Sequence, residues 1–317
     1  MNYFTRVIAA IRYPESTFGK TLIKGLPIIL FVLLLALGLS GFAVYRALVP
    51  ERLVETIDPS SFLLRNFQSI SFDTPEKISM EGWFIPSVRG APVIFLCHGY
   101  KSNRSELLTL ASTFQENGYN LFLFNFRGHG SSTVSLSTLG IKETQDLNAA
   151  INTVTERKDV DPNRVGVWGV TLGAYVALSA AVINEKIKVV VADSPFESPE
   201  TFLDLQTASV LGVNNTVLNG TARGFFWLTT LGISRPKESL LLSLAVTKRC
   251  EKLFITAEET PKLETQALTL FNHSPDPKEL LRMKRSRTSI LYDVERKNYE
   301  NTVVDFFKKR LPIRARS

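Results

Sequence analysis

Histidine is scarce in this chain, three among 317 residues, and cysteine scarcer, two. The thiols, Cys97 and Cys250, give neither a disulfide framework nor the ligand spacing of a metal site. Both stand at strand edges in apolar company, where a thiol behaves as a small hydrophobe. No internal repeat or low-complexity tract occurs, and 44% hydrophobic with 21% charged residues excludes a disordered chain. Nothing has the pattern of a nucleic-acid module, and no residue set calls for a metal or a cofactor. With so few imidazoles, any histidine-dependent chemistry must use His98, His129 or His273.

The formal charge of +7 is unevenly spread. The basic excess lies in residues 278–317 and 1–24, which leaves the middle slightly acidic. A basic C-terminal region fits a protein partner or an anionic surface such as lipid head groups; the plainer reading is a solvated helix face.

Residues 26–45 carry no formal charge, and about twenty such residues cross a hydrocarbon layer as a helix. Arg6, Arg12, Lys20 and Lys24 precede the run, whereas Arg46 and Arg52 follow it closely. That bias places the N-terminus in the cytoplasm and the bulk of the chain on the other side. A cleaved signal peptide competes, because Gly41-Phe42-Ala43 resembles a cleavage site, but the run exceeds the usual ~7–15-residue apolar core of a signal. We therefore divide the chain into a cytoplasmic segment (1–25), a transmembrane anchor (26–45), a linker or short amphipathic segment (46–65), a folded domain (66–312) and a basic tail (313–317).

Within the domain, strands and helices alternate. Residues 67–72 and 78–85, separated by Asp73-Thr74-Pro75, read as an edge hairpin. Strands follow at 91–97, 121–126, 165–170, 187–192 and 252–257, with helices at 106–117, 141–155, 172–183 and 262–271. This alternation predicts a mostly parallel sheet covered on both faces. Residues 294–310 close the chain as a helix, and the last strand is either 279–283 or 288–293. Residues 196–247 loosen into a region with the aromatic cluster Phe225-Phe226-Trp227, whose plainest role is packing.

The most informative stretch is 165–181. A buried strand runs through Gly169-Val170-Thr171-Leu172-Gly173 into an alanine-rich helix, and glycines two residues on either side of Thr171 let it stand exposed on a strained turn. With His98-Gly99, Asn125-Phe-Arg-Gly-His-Gly130 and Asp193-Ser-Pro195 in the same order, the chain resembles the α/β-hydrolase superfamily, in its serine-aminopeptidase-like branch. The resemblance covers about residues 66–312 and implies an α/β-hydrolase fold with a helical cap at 196–247. It places the nucleophile at Thr171, the acid at Thr260, the base near Thr288 if the last strand is the earlier one, and oxyanion donors on the backbone N–H groups of Tyr100 and Leu172. The family has serine, aspartate and histidine where this chain has the three threonines. Acyl transfer needs a nucleophile, a base and an orienter for that base. An internal threonine adds a methyl to a tight turn and lacks the terminal amine that threonine nucleophiles use as base. Glu258 and Glu259 are carboxylates near the acid position, and the resemblance implies Asp193, after the preceding strand, as an alternative location for the acid. His98 and His129 fall on structural motifs, and His273 precedes the loop where a base belongs. These features predict a membrane-anchored pseudo-hydrolase acting as a binding or scaffold protein. The alternative is an active ester, amide or lipid hydrolase using Thr171 with an unorthodox base such as His273 or a lysine.

Overall fold

The computed structural model describes residues 17–64, 66–236, 238–285 and 293–313. Among the described residues eight strands form one sheet in the order β1-β2-β4-β3-β5-β6-β7-β8. They are β1 (Gln68–Asp73), β2 (Ser79–Ile85), β3 (Ala91–Cys97), β4 (Asn120–Phe124), β5 (Val160–Val170), β6 (Ile187–Asp193), β7 (Glu251–Ala257) and β8 (Lys278–Met283). β1 and β2 are the expected hairpin at one edge, β2 joins β4 antiparallel, and β3 to β8 run parallel. β3 and β4 are buried at every position, as continuous apolar strands covered on both faces should be.

The α-helices among the described residues are α1 (Thr17–Leu48), α2 (Leu108–Glu116), α3 (Ile141–Thr155), α4 (Leu172–Ile183), α5 (Pro199–Leu211), α6 (Thr216–Thr229), α7 (Leu240–Ala245), α8 (Pro261–His273) and α9 (Asp293–Arg310). α2 and α9 cover one face, where Phe114, Trp168, Val191, Tyr299, Val303 and Phe307 share a core. α3 and α4 pack on each other against the opposite face, and α7 joins α4 to α8. β8 settles the open boundary in favour of the earlier strand. Of the alternative strand, 288–293, only Asp293 is described, and it begins α9; the rest lies outside the described residues.

The described residues fall into two compact units. One joins α1 up to Arg46 with Leu203–Leu231, and the other comprises Ala47–Phe202 and Gly232–Ser317. Residues 203–231 of the region expected as a cap thus cluster with the apolar helix. In the first unit Ser40 Oγ donates to the Leu218 carbonyl at 3.2 Å and shares a 2.5 Å hydrogen bond with Thr221 Oγ1. Of the aromatic cluster, Phe226 is buried but Trp227 is 57% exposed, so only part of it serves packing.

Within the second unit, residues 47–55 lie as a strap along the loops that leave β3 and β4. Tyr100 Oη donates to the Ala47 carbonyl at 2.9 Å, and the Ser137 amide donates to that of Leu48 at 2.8 Å. Arg52 donates to the Ser132 and Val134 carbonyls at 2.8 and 2.7 Å. Asn103 Nδ2 donates to Leu53 O, and Glu55 accepts from Arg104 at 3.2 Å and from Asn125 Nδ2. These backbone carbonyls carry no composition signal, which is why the segment reads as featureless in sequence.

At the C-terminal end, Arg310 pairs with Glu279 and Glu251 at 2.7 and 2.8 Å, Lys309 with Glu279 and Lys308 with Asp305. Part of the basic excess there is thus answered within the chain.

Candidate active site

β5 ends in the turn that makes the site. Thr171 has φ +47° and ψ −103°, a left-handed backbone that a β-branched residue adopts only under constraint, at roughly 1–3 kcal/mol. The constraint is visible on both sides. The Thr171 amide donates to the Asp193 carbonyl at 2.8 Å, and its carbonyl accepts from the Tyr175 amide at 3.0 Å. A Cβ on Gly173 would collide with the Cys97 carbonyl and lie 2.7 Å from that of His98; one on Gly169 would collide with the Gly173 carbonyl. Both glycines are dictated by backbone crossing backbone. The turn is a nucleophile elbow in geometry, with threonine at its tip.

The half-buried Thr171 hydroxyl faces the β3 exit loop, where the Tyr100 amide donates to Thr171 Oγ1 at 3.3 Å. Leu172 opens α4 and is fully buried; first-turn amides of a helix have no acceptor within it and lie at its positive end. The two backbone donors predicted for an oxyanion thus flank the threonine. Beside them Tyr175 stacks on Phe196 at 4.6 Å, Phe196 on Phe202 at 4.3 Å, and Phe202 meets Tyr100 edge-on at 5.2 Å. An apolar aromatic wall therefore borders the elbow.

All three imidazoles are held elsewhere. His98 Nδ1 donates to the Gly99 carbonyl at 2.8 Å, and its Nε2 accepts the Phe126 amide at 3.0 Å. Burial, with His129 nearby, drives its pKa down to about 3, so it is a neutral clamp between two loops. His129 Nδ1 donates to the Arg127 carbonyl at 2.8 Å, and burial lowers its pKa too. His273 is the last residue of α8, with Nδ1 donating to Thr269 O. α8 starts at the carboxyl end of β7 and ends where β8 begins. A 13-residue helix puts His273 about 18 Å further along than its first residue, at the opposite edge of the parallel strands from Thr171. It cannot serve as the base there.

Thr260 caps α8 at the expected acid position, but its Oγ1 donates to the Ala257 carbonyl at 3.3 Å in its own turn. Glu258 and Glu259 are exposed, and their amides donate to the carbonyls of Met283 and Lys284. The acid-position loop therefore runs beside the chain leaving β8 toward the base position. Thr288 itself lies outside the described residues. The sequence 286–292 contains no histidine.

Asp193, whose backbone carbonyl accepts from the Thr171 amide, is the alternative acid. Tyr299 Oη donates to its Oδ2 at 2.7 Å, Ser194 Oγ to its Oδ1 at 2.8 Å, and Trp168 Nε1 donates to Tyr299 Oη at 3.1 Å. This buried chain links α9 to β5 and β6. Sequence reasoning missed Tyr299, 106 positions away, because nothing local marks a tyrosine that reaches a distant carboxylate. Below the site, Arg127 holds Asp146 through two bonds of 2.7 and 2.6 Å and also meets Glu76. Burial opposes the guanidinium charge, but the two carboxylates outweigh it and raise the Arg127 pKa above its usual range. Burial raises the pKa of Cys97 and Cys250, which removes both thiols as nucleophiles. Among the described residues no cluster of His, Cys, Asp or Glu could hold a metal ion.

Sheet order, elbow and flanking donors define an α/β-hydrolase fold. Comparison with known proteins agrees: residues 92–281 match the family model for the alpha/beta hydrolase fold, and the chain belongs to that family. It is similar to the uncharacterized protein YfhR of Escherichia coli strain K12, 33% identical over 141 residues covering 42% of this chain and 49% of YfhR. It is similar also to the uncharacterized protein Rv2307c of Mycobacterium tuberculosis, 29% identical over 179 residues, 55% of this chain and 63% of that protein. The chain thus spans less than two thirds of either relative. Among solved structures, the Pyrococcus furiosus esterase Pf2001 superposes with a TM-score of 0.65 at 23% identity, over 84% of this chain and 98% of the esterase. That likeness is one of fold.

Proposed function

We propose that this chain is a membrane-anchored, catalytically impaired member of the α/β-hydrolase family that works as a binding or scaffold protein. One observation carries the reading: among the described residues no imidazole hydrogen-bonds to the Thr171 hydroxyl, and the three rings donate instead to the carbonyls of Gly99, Arg127 and Thr269. Without a base the hydroxyl stays protonated at neutral pH, and only oxyanion donors and binding remain to accelerate acyl transfer. The acid position adds a second deficit, because a threonine hydroxyl cannot hold an imidazolium. What survives is a shaped site, with backbone donors and an aromatic wall suited to an apolar group carrying one polar acceptor. The anchor is α1, in which Lys24–Leu48 is long and apolar enough to cross a membrane. The basic approach to it puts the N-terminus in the cytoplasm and the sheet domain on the other side.

The test uses the full chain, since Ala47 and Leu48 are hydrogen-bonded to the site loops. Hydrolysis of short nitrophenyl esters is measured for the wild type, Thr171→Ser and Thr171→Ala. We expect equal background rates in all three. Turnover in the wild type that Thr171→Ala abolishes would overturn the reading and establish a threonine hydrolase.

A further inference from the structure

Among the residues of α1 whose side chains are described, the apolar stretch exposed on all sides is shorter than the layer the helix would cross. Its side chains are exposed or half-exposed from Leu26 to Leu39, 14 residues, or about 21 Å of helix against a hydrocarbon core of about 30 Å. From there on Ser40, Ala43, Val44, Ala47 and Leu48 are buried, whereas Phe42 and Tyr45 stay more than half exposed. The buried set is spaced i, i+3, i+4, i+7, i+8, so one face of the helix packs on protein while the other still faces outward. The missing ~9 Å corresponds to about six residues, which ends the apolar layer near Tyr45. Protein packed on α1 at Ser40 and Gly41 therefore lies at the depth of hydrocarbon.

That protein is α6. Besides the Ser40 hydrogen bonds to Leu218 and Thr221, a methyl on Gly41 would touch the Phe225 ring at 3.9 Å. The outward side of α6 is apolar: Val217, Trp227, Leu228 and, just beyond the helix, Leu231 are 54–67% exposed. Gly220 and Gly224 lie at matching helical spacing between them, and a methyl added to either would meet nothing within 4 Å. The nearby charge, Arg223, is paired to Asp204.

We infer that the exposed face of α6 is seated in the lipid bilayer, as an interfacial helix beside the transmembrane one, with Trp227 in the outer acyl region. The inference rests on the anchor reading of α1. It explains why large apolar side chains remain uncovered on a helix packed against a span, and why a tryptophan is among them, since indole rings favour the membrane interface.

Tryptophan fluorescence tests it directly. The chain has three tryptophans; Trp83 and Trp168 are buried in the sheet domain, which leaves Trp227 as the exposed reporter. Full-length protein is reconstituted into phosphatidylcholine vesicles containing nitroxide-labelled lipid, with the label near the top or near the end of the acyl chain, and flotation is scored in parallel. We expect co-flotation, loss of about half of the Trp227 emission with the upper label, a smaller loss with the lower one, and weak quenching by aqueous acrylamide. In Trp227→Phe the lipid-sensitive emission disappears. Flotation with Trp227 open to acrylamide, or shielded from both quenchers as a second protein copy would shield it, overturns the inference and leaves the anchor standing. Failure to float overturns both.

Discussion

The strain at Thr171 can be weighed by replacing the residue twice. Thr171→Ala and Thr171→Gly both remove the hydroxyl and its 3.3 Å bond from the Tyr100 amide, so that loss cancels between them. What differs is the backbone. Alanine retains a Cβ at φ +47°, which costs roughly 1–2 kcal/mol in the left-handed region. Glycine is free of that penalty but loses roughly 0.5–1 kcal/mol more chain entropy on folding. The glycine variant should therefore be the more stable by about 1 kcal/mol, or on the order of 2 °C in a thermal melt of a chain this long. Scanning calorimetry in detergent micelles reads the difference. Ser112, inside α2, supplies the control, because in a helix interior the same two substitutions should instead favour alanine by about 1 kcal/mol. Equal stability of the two Thr171 variants, or a lead for alanine, would refute the claim that this turn stores strain.

Three further outcomes follow from the packing. Gly173→Ala drives a methyl into the Cys97 and His98 carbonyls and should cost upwards of about 4 kcal/mol, whereas Gly220→Ala meets open space; yield of folded protein on size exclusion separates them. Glu55→Ala leaves the nearly buried Arg104 with Glu81 at 3.7 Å as its remaining carboxylate. That should cost about 3 kcal/mol and speed hydrogen exchange at Asn103 and Arg104; unchanged exchange would mean the strap does not hold that loop. His98 favours its neutral form in the folded state, with a pKa of about 3 against the ordinary 6.5. Its stabilising contribution is therefore intact above pH 6.5 and is lost as pH falls below it, at up to about 1.4 kcal/mol per pH unit. His98→Gln should flatten that part of the denaturation profile measured from pH 7 to 4; a slope identical to wild type would show that His98 titrates normally.

The succession of strands and helices along the chain, the elbow and the scarcity of histidine are all legible in the sequence, because each is local. A parallel strand buried on both faces must be an apolar run, a turn that brings Gly173 against the β3 carbonyls must be glycine, and the number of histidines is read directly from the chain. Four features needed the tertiary structure. β8 at Lys278–Met283 resolved a boundary that apolar periodicity leaves open, since either segment could have paired with β7. The course of α8 carried His273 to the far edge of the sheet, a matter of helix length and direction. The Trp168–Tyr299–Asp193 chain and the strap over Tyr100 and Arg104 join residues tens to more than a hundred positions apart, largely through hydroxyls and backbone carbonyls. Such contacts satisfy buried polar groups in three dimensions and leave no periodicity or composition in the chain that makes them.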